Sequence, residues 1–275
     1  MTSSRLGASG RGTRSVMRSK ALGRAPARAH SRTFARPRVC ALVCALVCAL
    51  VCALVCTSVL GANADRAASP LAAPTPLALP APATRGTVSV EQALATRRST
   101  RAYAARALTL AQLSQLLWAA QGITVPAQGL RTAPSAGALY PLEVYVAVHE
   151  VSGLPAGVYR YLPHTHGLHV VVAHSVRARL AQDALAQAAA ARAPATLVLA
   201  AVPARTRSKY GERAGRYVAL EAGHAAQNVL LQATALGLGA VVIGAFDDAR
   251  VRRTLALRSD EEPLCLLPVG PVGGG

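Results

Sequence analysis

The chain has 275 residues, 52% of them hydrophobic and 4% aromatic, with 30 Lys and Arg against 12 Asp and Glu. That apolar content excludes disorder of the whole chain, and the lack of a Gly-x-y period or a sustained heptad excludes collagen-like and coiled-coil architectures. The net charge of +18 is uneven: residues 1–38 hold ten basic groups and no acid, which leaves +8 for the rest. No aromatic platform accompanies the basic stretch, so nucleic acid is not an expected partner.

Residues 1–38 read as a basic cytoplasmic n-region and residues 39–60 as an apolar segment of 22 residues without a charge. A helix of that length reaches about 33 Å, enough for the hydrocarbon layer. The four-residue unit Cys-Ala-Leu-Val repeats through it, a spacing unlike the paired cysteines of a zinc site. Ala62-Asn63-Ala64 follows as a small-x-small cleavage pattern. The segment is thus a cleaved signal peptide, an uncleaved anchor or the product of a mis-assigned start. Either of the first two leaves the N-terminus cytoplasmic and puts the rest periplasmic or otherwise extracytoplasmic. Five prolines between residues 65 and 86 predict an extended tether, so that 61–86 is a linker and 87–275 the folded domain.

Within that domain, Ser89–Gln92 and Thr109–Gln112 are capping-box patterns that start two helices. The second should turn Leu110, Leu113, Leu117 and Ala120 inward and stop at Gly122, with Trp118 in the core. Leu142–His149 alternates as a strand, and Gly157–Leu162 with Leu168–Val172 predicts a hairpin around His164–Gly167. Ser175 caps an Ala-rich helix to about Ala191, and Thr196–Val202 is a strand buried on both faces. A long helix follows over Arg216–Leu236, ended by Gly237. Then come a strand at Ala240–Ile243, a helix at Asp247–Leu255 and a strand at Leu264–Val269. The order of elements predicts an α+β domain of three layers with a mixed central sheet. His164 and His166 lack a third ligand at a zinc-like spacing, so no metal is expected, and Cys265 reads as core.

Three clusters carry candidate chemistry. Arg97-Arg98-Ser99-Thr100-Arg101 offers forked guanidinium groups and hydroxyls suited to a phosphate, against the plain alternative of a solvated basic turn. The small residues from Ala133 to Ala138 let backbone approach a flat ligand. Glycines 237, 239 and 244 flank a strand instead of joining strand to helix, which argues against a nicotinamide Rossmann site.

Together with Leu116–Gly122, Lys209-Tyr210-Gly211 and Glu221-x-Gly-His-x-x-Gln-Asn228, these clusters give the stretch from Val88 to Gly270 a resemblance. It resembles the FMN-dependent nitroreductase-like family, most closely the azoline dehydrogenases of the streptolysin-S-associated type. The resemblance implies a homodimer with FMN at the interface and the helix 216–236 largely in it. Arg97, Arg98, Ser99 and Arg101 would hold the phosphate and ribityl chain. Pro134, Ser135, Ala136 and Gly137 would line the flavin from the partner, and Gly244 and Ala245 would sit near its N5 edge. Lys209 and Tyr210 would be catalytic. The family's basic C-terminal segment has no counterpart in Pro271–Gly275, so the resemblance implies a phosphate grip that is weaker or rests wholly on the first arginine cluster.

The expected function is FMN-dependent hydride transfer to or from a small-molecule or peptide substrate, as an azoline-type dehydrogenase. Nitro or quinone reduction and non-catalytic flavin binding at a membrane are the alternatives. Oxidising a C–H beside an imine requires a base for the neighbouring proton, and a Tyr next to a Lys suits that role, the ammonium favouring phenolate.

Overall fold

Branched and small residues dominate Leu142–Val148 and Ala195–Ala201, and every residue of both segments is buried. The computed structural model describes residues 76–273. It pairs these two strands antiparallel along their full length, Leu142 opposite Ala201 and Val148 opposite Ala195. Alternation sends Leu142, Val144, Val146 and Val148 into one core and Tyr145 and Ala147 into a second on the opposite face.

In chain order the elements are β1 (Leu77–Ala78), α1 (Val90–Thr96), β2 (Leu108–Thr109), α2 (Leu110–Gln121), β3 (Ile123–Val125) and β4 (Leu130–Arg131). Next come β5 (Leu142–Val148), β6 (Val151–Ser152), β7 (Gly157–Leu162), β8 (Gly167–Val172), α3 (Arg177–Asp183) and α4 (Ala188–Arg192). The rest are β9 (Ala195–Ala201), α5 (Pro203–Tyr210), α6 (Ala214–Ala235), β10 (Leu238–Ala240), α7 (Asp248–Thr254) and β11 (Glu262–Pro271). Seven strands form one sheet in the order β1-β8-β7-β5-β9-β11-β10, antiparallel at each pairing. Its mixed character comes from the β10 edge, where Ser99 bridges Ala240 in parallel. Helices α2 and α6 cover one face through Leu113, Leu117, Val218 and Val229, and α3, α4 and α7 cover the other through Leu180, Ala190, Val251 and Leu255.

The caps follow from local chemistry. Thr109 and Gln112 complete a reciprocal capping box before α2, which Gly122 ends. Ser89 accepts from the Gln92 amide at α1, and Gly237 ends α6 at φ +69°. The Ala-rich helix expected from Ser175 to Ala191 is two helices, because Leu185 and Ala186 both turn left-handed at φ +57°. Asp183 sets the break. Its carbonyl accepts from the Asp247 amide at 2.9 Å, and its buried carboxylate takes the Thr254 hydroxyl at 2.6 Å. Trp118 is half-buried instead of core, its ring lying over the bare backbone of Gly122.

The basic n-region, the apolar run 39–60, the Ala62–Ala64 pattern and the start of the linker lie outside the described residues. Among the described residues no helix is long and apolar enough to cross a membrane. The end of the Pro-rich stretch belongs to the domain already from Pro76. Leu77 pairs with Leu168, the Ala83 amide donates to Gln115 at 2.8 Å, and the Ser114 hydroxyl donates to the Pro80 carbonyl at 2.6 Å. His166 joins this clamp, with Tyr161 Oη 2.9 Å from Nδ1 and Ser114 Oγ 2.8 Å from Nε2. Replacing Ser114→Ala strips the Pro80 carbonyl and His166 of one partner each, at an expected cost of about 0.5–1.5 kcal/mol. A lower urea midpoint and faster hydrogen exchange at the Leu79 amide, which donates to His166 O, are the expected results. Unchanged values for both would refute the clamp.

Candidate active site

The loop between β4 and β5 is held from beneath. Asn228 on α6 donates to the Thr132 carbonyl at 3.2 Å, and the Thr132 hydroxyl donates to Trp118 O at 3.0 Å. Ser135 Oγ accepts from the Tyr140 amide at 2.9 Å, which closes the loop on itself. Gly137, Ala138 and Tyr140 have φ of +64°, +54° and +45°. Left-handed backbone at two residues with side chains is strain of about 1–2 kcal/mol each, the kind that persists where the surroundings over-determine it. Those surroundings are visible at Tyr140: the Arg131 guanidinium lies 4.4 Å over its ring, and Arg205 Nη1 donates to its carbonyl at 2.9 Å.

Helix α5 starts after β9 with Pro203 in its first turn and carries Lys209 and Tyr210 at its C-terminal end. Both side chains reach the loop. A Cβ added at Gly137 would stand 2.9 Å from Tyr210 Oη and 3.1 Å from Lys209 Nζ. Tyr217 meets the Tyr210 ring edge-on, with centroids 4.9 Å apart. Tyr210 is half-buried and Lys209 exposed.

Beneath the loop sits Glu221, only 3% exposed, a residue that sequence reasoning placed in a motif without assigning it a role. Burial pushes its carboxyl up to about 7, while the Ser135 hydroxyl and Arg131 pull the other way. Its Oε1 has no hydrogen-bond partner among the described residues.

The arginine cluster lies elsewhere. Ser99 bridges Ala240, and the Thr100 amide donates to Ala240 O at 3.0 Å, so the segment runs along the β10 edge. Arg98 is tied to the carbonyls of Ala95 and Arg97 at 3.0 and 2.8 Å. Among the described residues none of Arg97, Arg98 and Arg101 makes an ion pair. Gly244 and Ala245 follow Ile243, which bridges Leu266 on the same side of the sheet, and both are exposed. Leu142 and Ala240 stand at opposite ends of the paired strands and three strands apart. At about 3.3 Å per residue and 4.8 Å per strand, that separates them by roughly 25 Å. One chain thus joins Ser135–Gly137 to Lys209, Tyr210 and Glu221, and places Arg97–Arg101 and Gly244–Ala245 along another edge.

The nitroreductase family profile matches residues 94–271. The chain belongs to the nitroreductase family. It is 48% identical over 183 residues to the nitroreductase-family protein MJ1384 of Methanocaldococcus jannaschii, covering 66% of this chain and 91% of that one. A nitroreductase-family crystal structure from Ralstonia eutropha superposes with a TM-score of 0.63 at 34% identity, covering 72% of this chain and 90% of the other. The Escherichia coli microcin synthetase McbBCD complex, bound to truncated pro-MccB17, contains a chain at TM-score 0.55 and 24% identity, covering 78% and 86%. At that identity the likeness concerns the fold alone.

In this nitroreductase-family domain the residues present fit a flavin nucleotide. Unpaired guanidinium groups beside a hydroxyl suit a phosphate, and the small residues of the loop from Pro134 to Ala138 suit a flat ring. Two expectations follow. Gly137→Ala should destabilise the domain by about 1–2 kcal/mol through its left-handed φ and also displace Tyr210, read as a lower melting temperature together with lost turnover. Glu221, whose carboxyl titrates near 7 when folded against an ordinary 4.5, stays protonated where the unfolded chain has ionised. Stability should therefore fall as pH rises between those values and level off above them. Glu221→Gln should remove that slope and be relatively more stable at high pH. Parallel urea-midpoint curves for the two proteins would count against it.

Proposed function

We propose that the protein is an FMN-dependent oxidoreductase that works as a homodimer. The observation that carries this reading is the convergence of Lys209 and Tyr210 on Gly137, in the loop that the family resemblance assigns to the flavin. The arginine cluster runs along the β10 edge at Ala240, roughly 25 Å across the sheet from Leu142 at the loop's end, which supports two copies, each contributing one half of the site. Val90 and Leu94 of α1 and Leu220 of α6 expose apolar side chains that a second copy would cover.

In this reading Arg97, Arg98, Ser99 and Arg101 bind the phosphate and ribityl chain, and Pro134, Ser135, Ala136 and Gly137 of the other copy line the ring. The amides of Gly244 and Ala245 donate at the ring edge. Bound FMN would supply a two-electron hydride acceptor or donor. Tyr210, with Lys209 beside it, takes the proton that must leave the atom next to an oxidised C–H, which favours an azoline-type dehydrogenase. Nitro or quinone reduction is the competing chemistry, supported by the relatives' names, and needs no such base. Placement beyond a membrane rests on the basic residues 1–38 and the charge-free run 39–60. There reduced nicotinamide is scarce, which leaves a reductase in want of another donor.

The purified full chain should show flavin absorption and release a ligand with the mass of FMN. Colourless protein that ignores added FMN would end this reading. Tyr210→Phe should lower azoline oxidation by about 100-fold or more, while quinone reduction hardly changes. Equal losses of both would remove Tyr210 from the base role. Stopped-flow reduction of the bound flavin separates an enzyme from a flavin-binding scaffold, which would turn over with no donor.

A further inference from the structure

Residues 205–216 hold five basic side chains and one acid, Glu212. They end α5 and begin α6, beside the candidate loop. Arg207, Lys209, Arg213 and Arg216 are all exposed, and among the described residues none of them is paired with a carboxylate. The cations form a strip with three tyrosines. Arg205 donates to the Tyr140 carbonyl at 2.9 Å, and Lys209 Nζ lies 5.7 Å from the Tyr210 ring. That ring is 4.9 Å from Tyr217, and the Arg213 guanidinium lies 5.8 Å over Tyr217 in turn. Arg216 stands three residues after Arg213, on the same side of α6. At the other end of the strip Arg205 and Arg160 line a cavity of about 430 Å³ and share the carboxylate of Glu143, their side chains still 35% and 26% exposed. The fold does not call for this arrangement. Like charges held together repel one another, and cations at the start of α6, whose first turn has no acid, oppose the helix dipole.

We propose that this strip docks an acidic peptide, so that the substrate of the site is a peptide residue with carboxylates on both sides of it. Tyr210 lies between Arg205 at one end and Arg213 and Arg216 at the other. A chain laid along the strip therefore presents its middle to Tyr210 and its flanks to the cations. Four residues of α5 rise about 6 Å and an extended peptide advances about 3.3 Å per residue, which puts the carboxylates within a few positions of the reacting residue. A single small anion would meet only one end of the strip. A flat anionic bilayer would meet Arg213 and Arg216 but not follow the cations down to Arg205 and Arg160 in the cavity wall. Nucleic acid fits no better, because a cation lies over each ring, Arg131 over Tyr140, Lys209 over Tyr210 and Arg213 over Tyr217, where bases would stack. The docking stands on the strip itself; only the reaction of the docked residue rests on the flavin reading.

Fluorescence anisotropy on the full chain tests the docking, with a rhodamine-labelled nonapeptide of four glutamates around a central serine as the probe and its glutamine counterpart as the control. The glutamate peptide should bind at least about tenfold more tightly. Arg213→Glu combined with Arg216→Glu should weaken it by about tenfold or more. Both residues are exposed and acids suit the start of α6, so this variant keeps its fold. It also keeps the basic residues 1–38, so peptide held by those would show no loss. Arg179→Glu combined with Arg253→Glu, on α3 and α7 across the sheet, makes the same change in net charge and should alter the affinity by less than about twofold. Equal binding of the two peptides, no loss in the first variant, or an equal loss in the second would overturn the proposal. If the first variant instead keeps the peptide but no longer sediments with phosphatidylglycerol vesicles, the strip meets a bilayer and the proposal falls. Colourless protein that still binds the glutamate peptide would remove the flavin reading and leave the docking. Flavin-loaded protein indifferent to the glutamates would do the reverse, so the two failures are distinguishable.

Discussion

Gly137 has no side chain, and the space this leaves is where helix α5 delivers its last two residues. Tyr210 and Lys209 are brought to a loop more than seventy positions earlier because nothing at residue 137 stands in their way, and because φ at that residue is +64°. The left-handed turns at Ala138 and Tyr140 then send the chain straight into β5. β5 and β9 are locked in antiparallel register with both faces buried, so the starts of β5 and α5 sit side by side at one end of the sheet. The loop is strained but not free to relax. Asn228 holds its first residue, the Ser135 hydroxyl closes it, and Arg131 and Arg205 fix its last.

The long helix α6 sets the scale of the site. Glu221 lies near its beginning, under the loop, and the chain leaves its end at Gly237 to enter β10 beside Ser99. Glu221 stands about 21 Å before the end of the helix at Ala235, and Asn228, which holds Thr132, about 10 Å before it, so α6 spaces the loop and the β10 edge along its length. Two such helices packed in opposite directions would set one copy's beginning against the other's end. The exposed apolar side chains on α1 and α6 lie on the elements that such packing would use.

Much of the fold was legible because its signals are short-range. The alternation in Leu142–Val148, the unbroken apolar run of β9, the Thr109 capping box and the Gly237 stop each act within a few residues. The misreadings share one cause, contacts distant in sequence. The Ala-rich segment after Ser175 has the composition of one helix, but Asp183 is bonded by Asp247 and Thr254, more than sixty residues on. The prolines before residue 87 read as a tether, yet from Pro76 they are gripped by Ser114, Gln115 and His166. In the site, the meeting of Tyr210 with Gly137 was accessible only through the family resemblance, since spacing alone says nothing of it. Glu221 was visible as a motif letter, but its burial under Ser135 depends on the sheet register.

The two sets of arginines are electrostatically unlike, and the difference bears on what each can bind. Arg97, Arg98 and Arg101 sit at an edge with no carboxylate paired to them among the described residues, so their combined charge is available to a multiply charged group. Arg160, Arg205 and Arg258 surround Glu143, which cancels part of their charge and orients them. A phosphate gains from the first arrangement, where no carboxylate competes for the guanidinium charge.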